Sequence, residues 1–278
     1  MPTTVPGIYK QGTIELLETP TGVREGRVLV TILEDHDGQS APRFLQFGKY
    51  SQGPMSTEQD FNIASGEGNR QINRADYREV LANAVLLESR KARLYEAHIL
   101  RLTEFVKQIR IEHGLSQEIP FFDPADGGSE AQVLFVLEAP GPMAVYSGFV
   151  SCDNPDSTAK NMFDFLKMAG ITRQQIVLWN VVPWYLGNGK QISAAKREDI
   201  RDGLIYLRKL QMLLPNLKAI VLVGRKAQSI GDKIDASLSV RLFKSPHPSP
   251  QYVNLHPGNR DNIITVFREV AAHLNTSS

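Results

Sequence analysis

Five consecutive apolar residues, Val133-Leu134-Phe135-Val136-Leu137, break off at Glu138-Ala139-Pro140-Gly141-Pro142. A short unbroken apolar run predicts a strand buried on both faces, and two prolines with a glycine predict its abrupt end in a rigid turn. The pattern returns three times. Ile176 to Val182 is apolar except at Asn180 and closes at Pro183; Ala219 to Val223 ends at Gly224. Val240 to Phe243 runs into Ser245-Pro246-His247-Pro248-Ser249-Pro250. Between these runs, apolar residues recur at helical spacing over 158–168 (stopped by Gly170), 194–214 and 260–274. Strand–helix alternation of this kind predicts an α/β fold, a central parallel four-stranded sheet flanked by helices with right-handed crossovers.

The first half of the chain reads differently. Residues 7–34 hold short β-prone runs separated by turn signals at Gln11-Gly12 and Thr21-Gly22, and 43–63 adds one more apolar stretch. Ala64-Ser-Gly-Glu-Gly-Asn-Arg70 reads as a linker. From Asn73 to about His113, Leu81, Val85, Leu86, Leu94, His98, Leu102 and Phe105 keep a helical rhythm that Gly114 ends, as one long helix or a helical hairpin. Nothing on it looks catalytic. The expected domains are a small β-rich accessory module over 1–66, a helical linker region over 67–118 and a catalytic α/β domain over 119–278.

Composition narrows the classes. No apolar run approaches the ~20 residues of a membrane span, and MPTTVPGIYKQG has no signal-peptide core. Cys152 is the only cysteine, which excludes disulfides within the chain, Cys-based zinc sites and an iron–sulfur cluster. The expectation is a cytoplasmic protein without a membrane partner, cofactor or metal; His247 and His256 lack an acidic partner at ligand spacing. Residues 1–130 carry 14 Lys+Arg against 19 Asp+Glu, whereas 131–278 carry 17 against 11. The second half is therefore the part suited to a polyanion.

Chemistry gathers at three strand ends, where ligands bind in parallel α/β sheets. The first offers the Glu138 carboxylate and a rigid backbone at Gly141. The second offers Asn180, a polar residue in an otherwise apolar strand. The third offers His247, held between two prolines and so aimed before a substrate arrives.

LEAPG (137–141), LWNVVPW (178–184) and HPSP (247–250), in this order and each at a strand end, resemble the uracil-DNA glycosylase superfamily over roughly residues 120–275. The first motif reads GEAPG in that superfamily's heat-stable branch and GQDPY in its best-known branch. DPADGG, LEAPGP and WNVVPWY look like a bacterial uracil-DNA glycosylase-like branch. The resemblance implies an enzyme that flips a nucleotide out of DNA and hydrolyses its N-glycosidic bond, leaving an abasic site. It implies His247 as hydrogen-bond donor to the pyrimidine O2, and Asn180 as reader of the base edge. The backbone around Ala139, Pro140 and Gly141, through its N–H groups other than at the proline, would hold the base, and Phe149 would stack on it unless it is a core residue. Pro142, Ser245 and Ser249 would belong to loops pinching the phosphates, with Gln251, Tyr252 and Arg260 also toward DNA. The N-terminal module resembles antitoxin-type β modules, which would allow a homodimer.

The departures from the family are specific. Ala139 stands where the best-known branch has a water-orienting Asp, so Glu138 becomes the candidate water-positioning carboxylate, with Asp153, Asn154 and Asp156 as alternatives. Gln251 stands at the place of an apolar wedge, so Tyr252 or another residue would fill the gap in the duplex. Gly141 replaces a Tyr that bars 5-substituted pyrimidines, which widens the pocket unless Tyr146 fills it. Expected substrates are uracil or a 5-modified pyrimidine; the alternatives are a hypermodified cytosine of phage DNA, in antiphage defence, and a non-catalytic DNA-binding or regulatory module.

Overall fold

The computed structural model describes residues 80–114, 118–187, 193–234 and 240–276, with the backbone of four strands nearer the N-terminus. Two compact units divide the chain, Met1–Gln71 and Ile72–Ser278. In the first, β1 (Gly7–Lys10) pairs antiparallel with β2 (Thr13–Leu16), and β3 (Glu25–Ile32) with β4 (Arg43–Ser51). The expected linker at 64–70, the start of the helical region before Val80 and the dimerising surface of the β module lie outside the described residues.

The second unit opens with α1 (Ala84–Ala92), α2 (Ala97–His113) and the short β5 (Phe121–Phe122). There follow β6 (Val133–Leu137), α3 (Pro142–Ser147), β7 (Phe149–Val150), α4 (Ser157–Ala169) and β8 (Ile176–Asn180). Then come α5 (Arg197–Gln211), β9 (Ala219–Val223), α6 (Gly224–Gln228), β10 (Arg241–Ser245), α7 (Pro250–Val253) and α8 (Gly258–Thr276).

Four strands form one parallel sheet in the order β10-β9-β6-β8, with Leu137 opposite Asn180 and Ser245 opposite Val223. From β6 the chain crosses to β8 on one side, then returns to β9 on the other. The carboxyl end of β6 is therefore the topological switch point, where such sheets leave a crevice. Helices cover both faces. Phe135 packs on Phe267 of α8 (5.1 Å between ring centres), and Phe267 meets Phe165 of α4. Trp179 turns to the opposite face, stacked on Phe122 at 4.1 Å and near Phe105 of α2.

Three features depart from the sequence reading. The long helical region is α1 and α2, separated by a 3-10 turn at Arg93–Tyr95. Far from serving as a linker, α2 buries Ile99, Leu102, Val106 and Ile109 in the same core as the sheet. After the first motif the chain makes α3 where a loop was expected. Pro142 begins it, because a fixed φ and a missing N–H cost nothing in a first turn. Among the described residues, no helix is long and apolar enough to cross a membrane.

Candidate active site

Two hydrogen bonds join the exits of β6 and β8: Val181 N–H donates to Leu137 O (2.8 Å) and Val182 N–H to Glu138 O (3.0 Å). They bring the first two motifs side by side. Glu138 is half-buried, and its Oε1 accepts the N–H of Ala195 at 2.8 Å. Asn180 is only 2% exposed, and its Nδ2 has no partner among the described residues. An unpaired buried donor costs about 1–3 kcal/mol, so this amide is retained at a price.

The histidine loop is built from its backbone outward. Nδ1 of His247 accepts the N–H of Ser249 at 3.1 Å, which puts the proton of the neutral ring on Nε2. Burial lowers the pKa of His247, and the nearby carboxylates of Glu138 and Asp156 draw it partly back. The ring lies directly on Gly224, which has φ +83°; a Cβ there would stand 3.2 Å from both Cβ and Cδ2 of His247. Pro248 O accepts Nδ2 of Asn161 at 2.8 Å, tying the loop to α4.

Of the other residues singled out in the first motif, Ala139 is half-buried, Pro140 buried, and Gly141 and Pro142 exposed. A Cβ on Gly141 would meet no atom within 4 Å. Tyr146 is 65% exposed on α3 and does not fill that space.

Two residues need correction, Phe149 and Ser245. Phe149 is fully buried in a small core cluster with Leu81, Leu87 and Leu94, so its ring is a packing element and offers no open face for stacking. Ser245 is fully buried, with its hydroxyl on the Pro246 carbonyl (3.0 Å), out of reach of a phosphate. Arg260, half-buried, lies over the Phe165 ring at 5.0 Å and so also joins α8 to α4, which leaves its expected place toward DNA untouched. Gln251 is exposed, Tyr252 packs partly against the core, and Ser249 caps α7 with its carbonyl facing the N–H groups of Tyr252 and Val253. The most exposed apolar side chain beside this loop is Leu255, at 80%.

The alternative water ligands also separate. Asp153 is held by Arg90 and Arg173. Asn154 is buried with Nδ2 on the Phe149 carbonyl. Asp156 caps α4, its Oδ1 accepting from the N–H groups of Thr158 and Ala159 (both 2.9 Å), and its charge reaches His247. Glu138 and Asp156 are the carboxylates felt by the histidine.

An ionic cluster behind the site was missed by the sequence reading. Arg90 of α1 contacts Asp123 and Asp153, and Arg173 contacts Asp123, Asp126 and Asp153. Ser151 donates to Asp123. Burial would raise the pKa of Asp123, but Arg173 and Arg90 hold it at about 2; for Asp126 burial prevails and raises it to about 8. With Asp126 protonated, two guanidinium groups balance two carboxylates. No spacing in the sequence pairs residues 20 to 63 positions apart in this way.

The amide of Asn180, the carboxylate of Glu138 and the imidazole of His247 thus stand at or just past the ends of three strands of one parallel sheet. The chain belongs to the uracil DNA glycosylase superfamily, whose family model matches residues 124–271, just over half of it. No curated protein matches the chain. Solved structures similar to it include a candidate uracil DNA glycosylase from Methanosarcina acetivorans, with 16% identity and TM-score 0.37 over 51% of this chain and 92% of that one. UNG from Nitratifractor salsuginis shows 12% identity and TM-score 0.36 over 66% and 97%. A variant of mimivirus UNG in complex with UGI shows 14% identity and TM-score 0.30 over 63% and 76%.

Proposed function

We propose that this chain is a monofunctional DNA glycosylase that turns a pyrimidine nucleotide out of DNA and hydrolyses the bond from base to sugar. The observation that carries the reading is the buried Nδ2 of Asn180 at the end of β8, which has no partner among the described residues. A donor so placed is satisfied by an acceptor on a ligand's edge, and the same amide offers an oxygen for a neighbouring N–H. As the C1′–N bond breaks, its electron pair passes to the base, and the Nε2–H of His247 donates to the O2 where that charge collects. Water, oriented by Glu138, adds to C1′, and the proton it loses goes to the departing base anion. The products are a free base and an abasic sugar. Family membership and the basic balance of residues 131–278 support DNA as the partner.

Uracil is the first substrate to test. A second reading, a pyrimidine substituted at C5, including a hypermodified phage cytosine, is favoured by the open space at Gly141 and by the outward Tyr146. The deciding experiment measures base release from duplexes carrying uracil, 5-hydroxymethylcytosine or its glucosylated form. Uracil release that disappears with Asn180→Ala makes this a repair enzyme. Release confined to the modified cytosines, and suppressed by Gly141→Tyr, makes it an enzyme acting on modified DNA. No release from any duplex, with DNA binding intact, replaces the reading with a binding module.

A further inference from the structure

Alternate residues of α6 each touch a different part of the site. Gly224 carries the ring of His247. Gln228 Nε2 donates to Ser245 O at 2.8 Å, holding the end of β10 from which the histidine loop leaves. Lys226 Nζ donates to Ala195 O at 2.9 Å, and Ala195 N–H in turn donates to Glu138 Oε1 at 2.8 Å. One five-residue helix thus braces both the histidine and the carboxylate, which leave strands that are not neighbours in the sheet.

We infer that Lys226 is a positioning residue for base excision: by holding the Ala195 carbonyl it fixes the backbone at that residue, so that the Ala195 N–H, on the preceding peptide group, holds one oxygen of Glu138 and leaves the other for water. The inference rests on the glycosylase reading. Three observations support it. Lys226 is half-buried with its ammonium on a backbone carbonyl, whereas its neighbour Arg225 is exposed and better placed for a phosphate. Among the described residues, Glu138 has no cationic side chain as its hydrogen-bond partner; the Ala195 N–H holds it, so the orientation of the backbone at Ala195 sets the carboxylate. Among the described residues, the segment's flanking anchors lie two residues before Ala195 and one after it: Ser193 N–H to Leu186 O (3.0 Å), and Lys196 N–H to Asp199 Oδ2 (2.8 Å). The Ala195 carbonyl itself is left to Lys226.

A double-mutant cycle tests this on the duplex whose base the wild type releases. Lys226→Met should lower kcat about tenfold with KM unchanged, the scale expected of a misplaced reacting group. In a Glu138→Gln background the same change should cost less than twofold, since Lys226 acts through Glu138. Lys226→Arg should restore most of the rate. An equal loss in both backgrounds, a loss confined to KM, or no loss at all would each overturn the inference. Amide hydrogen exchange at Ala195 provides a readout independent of catalysis: protected in the wild type, unprotected in Lys226→Met and protected again in Lys226→Arg. Unchanged protection in Lys226→Met overturns the inference even if the wild type excises nothing, an outcome that by itself would count against the glycosylase reading. Should Lys226→Met fold poorly, Lys226→Gln takes its place in both measurements.

Discussion

At position 224 a methyl group would meet both a left-handed backbone and the ring of His247. The left-handed φ of +83° costs an L-residue about 1–2 kcal/mol, and the new Cβ would press on His247 from 3.2 Å. Gly224→Ala is expected to lower excision ten- to a hundredfold, roughly the penalty of a 1 Å misplacement, with a stability loss of about 1–2 kcal/mol; single-turnover kinetics and thermal unfolding separate the two. In the proposed mechanism His247 is expected to set the acid limb of the rate profile. Protonating Nδ1 would set it against the Ser249 N–H, so the neutral ring is the working form. Because burial lowers its pKa, activity should persist below the usual histidine pKa of about 6.5 before it declines. The stability sign is the same: the folded form binds the proton less well than the unfolded one, so this contribution is full above about 6.5 and is lost as pH falls through the folded pKa. At this scale the sequence was informative. Asn180 and His247 stood out because a polar residue in an apolar run, and a histidine locked between prolines, are local anomalies. Phe149 and Ser245 were misassigned because burial is not local.

Among the elements, α4 connects the ionic cluster's loop to the histidine. Asp156 caps it, and Asn161 on it holds Pro248. Replacing Asp156 by Ala removes the cap, worth about 1 kcal/mol, and one of the two carboxylates that raise the pKa of His247. Thermal unfolding should register the first effect. The second should move the acid limb of the rate profile to lower pH, because a raising influence is gone; a shift to higher pH would show that Asp156 does not act on the histidine.

For the molecule as a whole, the cluster around Asp123 joins α1, the entry to the sheet and the loop before α4 into one buried unit. Removing one partner of a buried pair typically costs 3–5 kcal/mol, so Arg173→Met is expected to destabilise by that order in chemical denaturation. The cluster also has opposite pH signs within it. Asp123, held at about 2, contributes stability above the unfolded carboxylate range that is lost as pH falls toward 2. Asp126, raised to about 8, contributes stability at low pH that is lost as pH rises through 8. Asp126→Asn should therefore flatten the decline in stability between about pH 4 and 8, measured as the denaturation midpoint across that range.

What the sequence determined by itself was the alternation of buried strands and helices, the ends of those strands and the residues standing on them, since a strand's boundaries and its punctuation are written in neighbouring positions. Only the tertiary structure decided that α1 and α2 belong to the core, that Phe149 packs rather than stacks, that Arg90 and Arg173 meet Asp123, Asp126 and Asp153, and that α6 braces Glu138 and His247 together. These depend on which segments pack side by side, and the contacts run between residues too far apart in the chain for any local pattern to relate them.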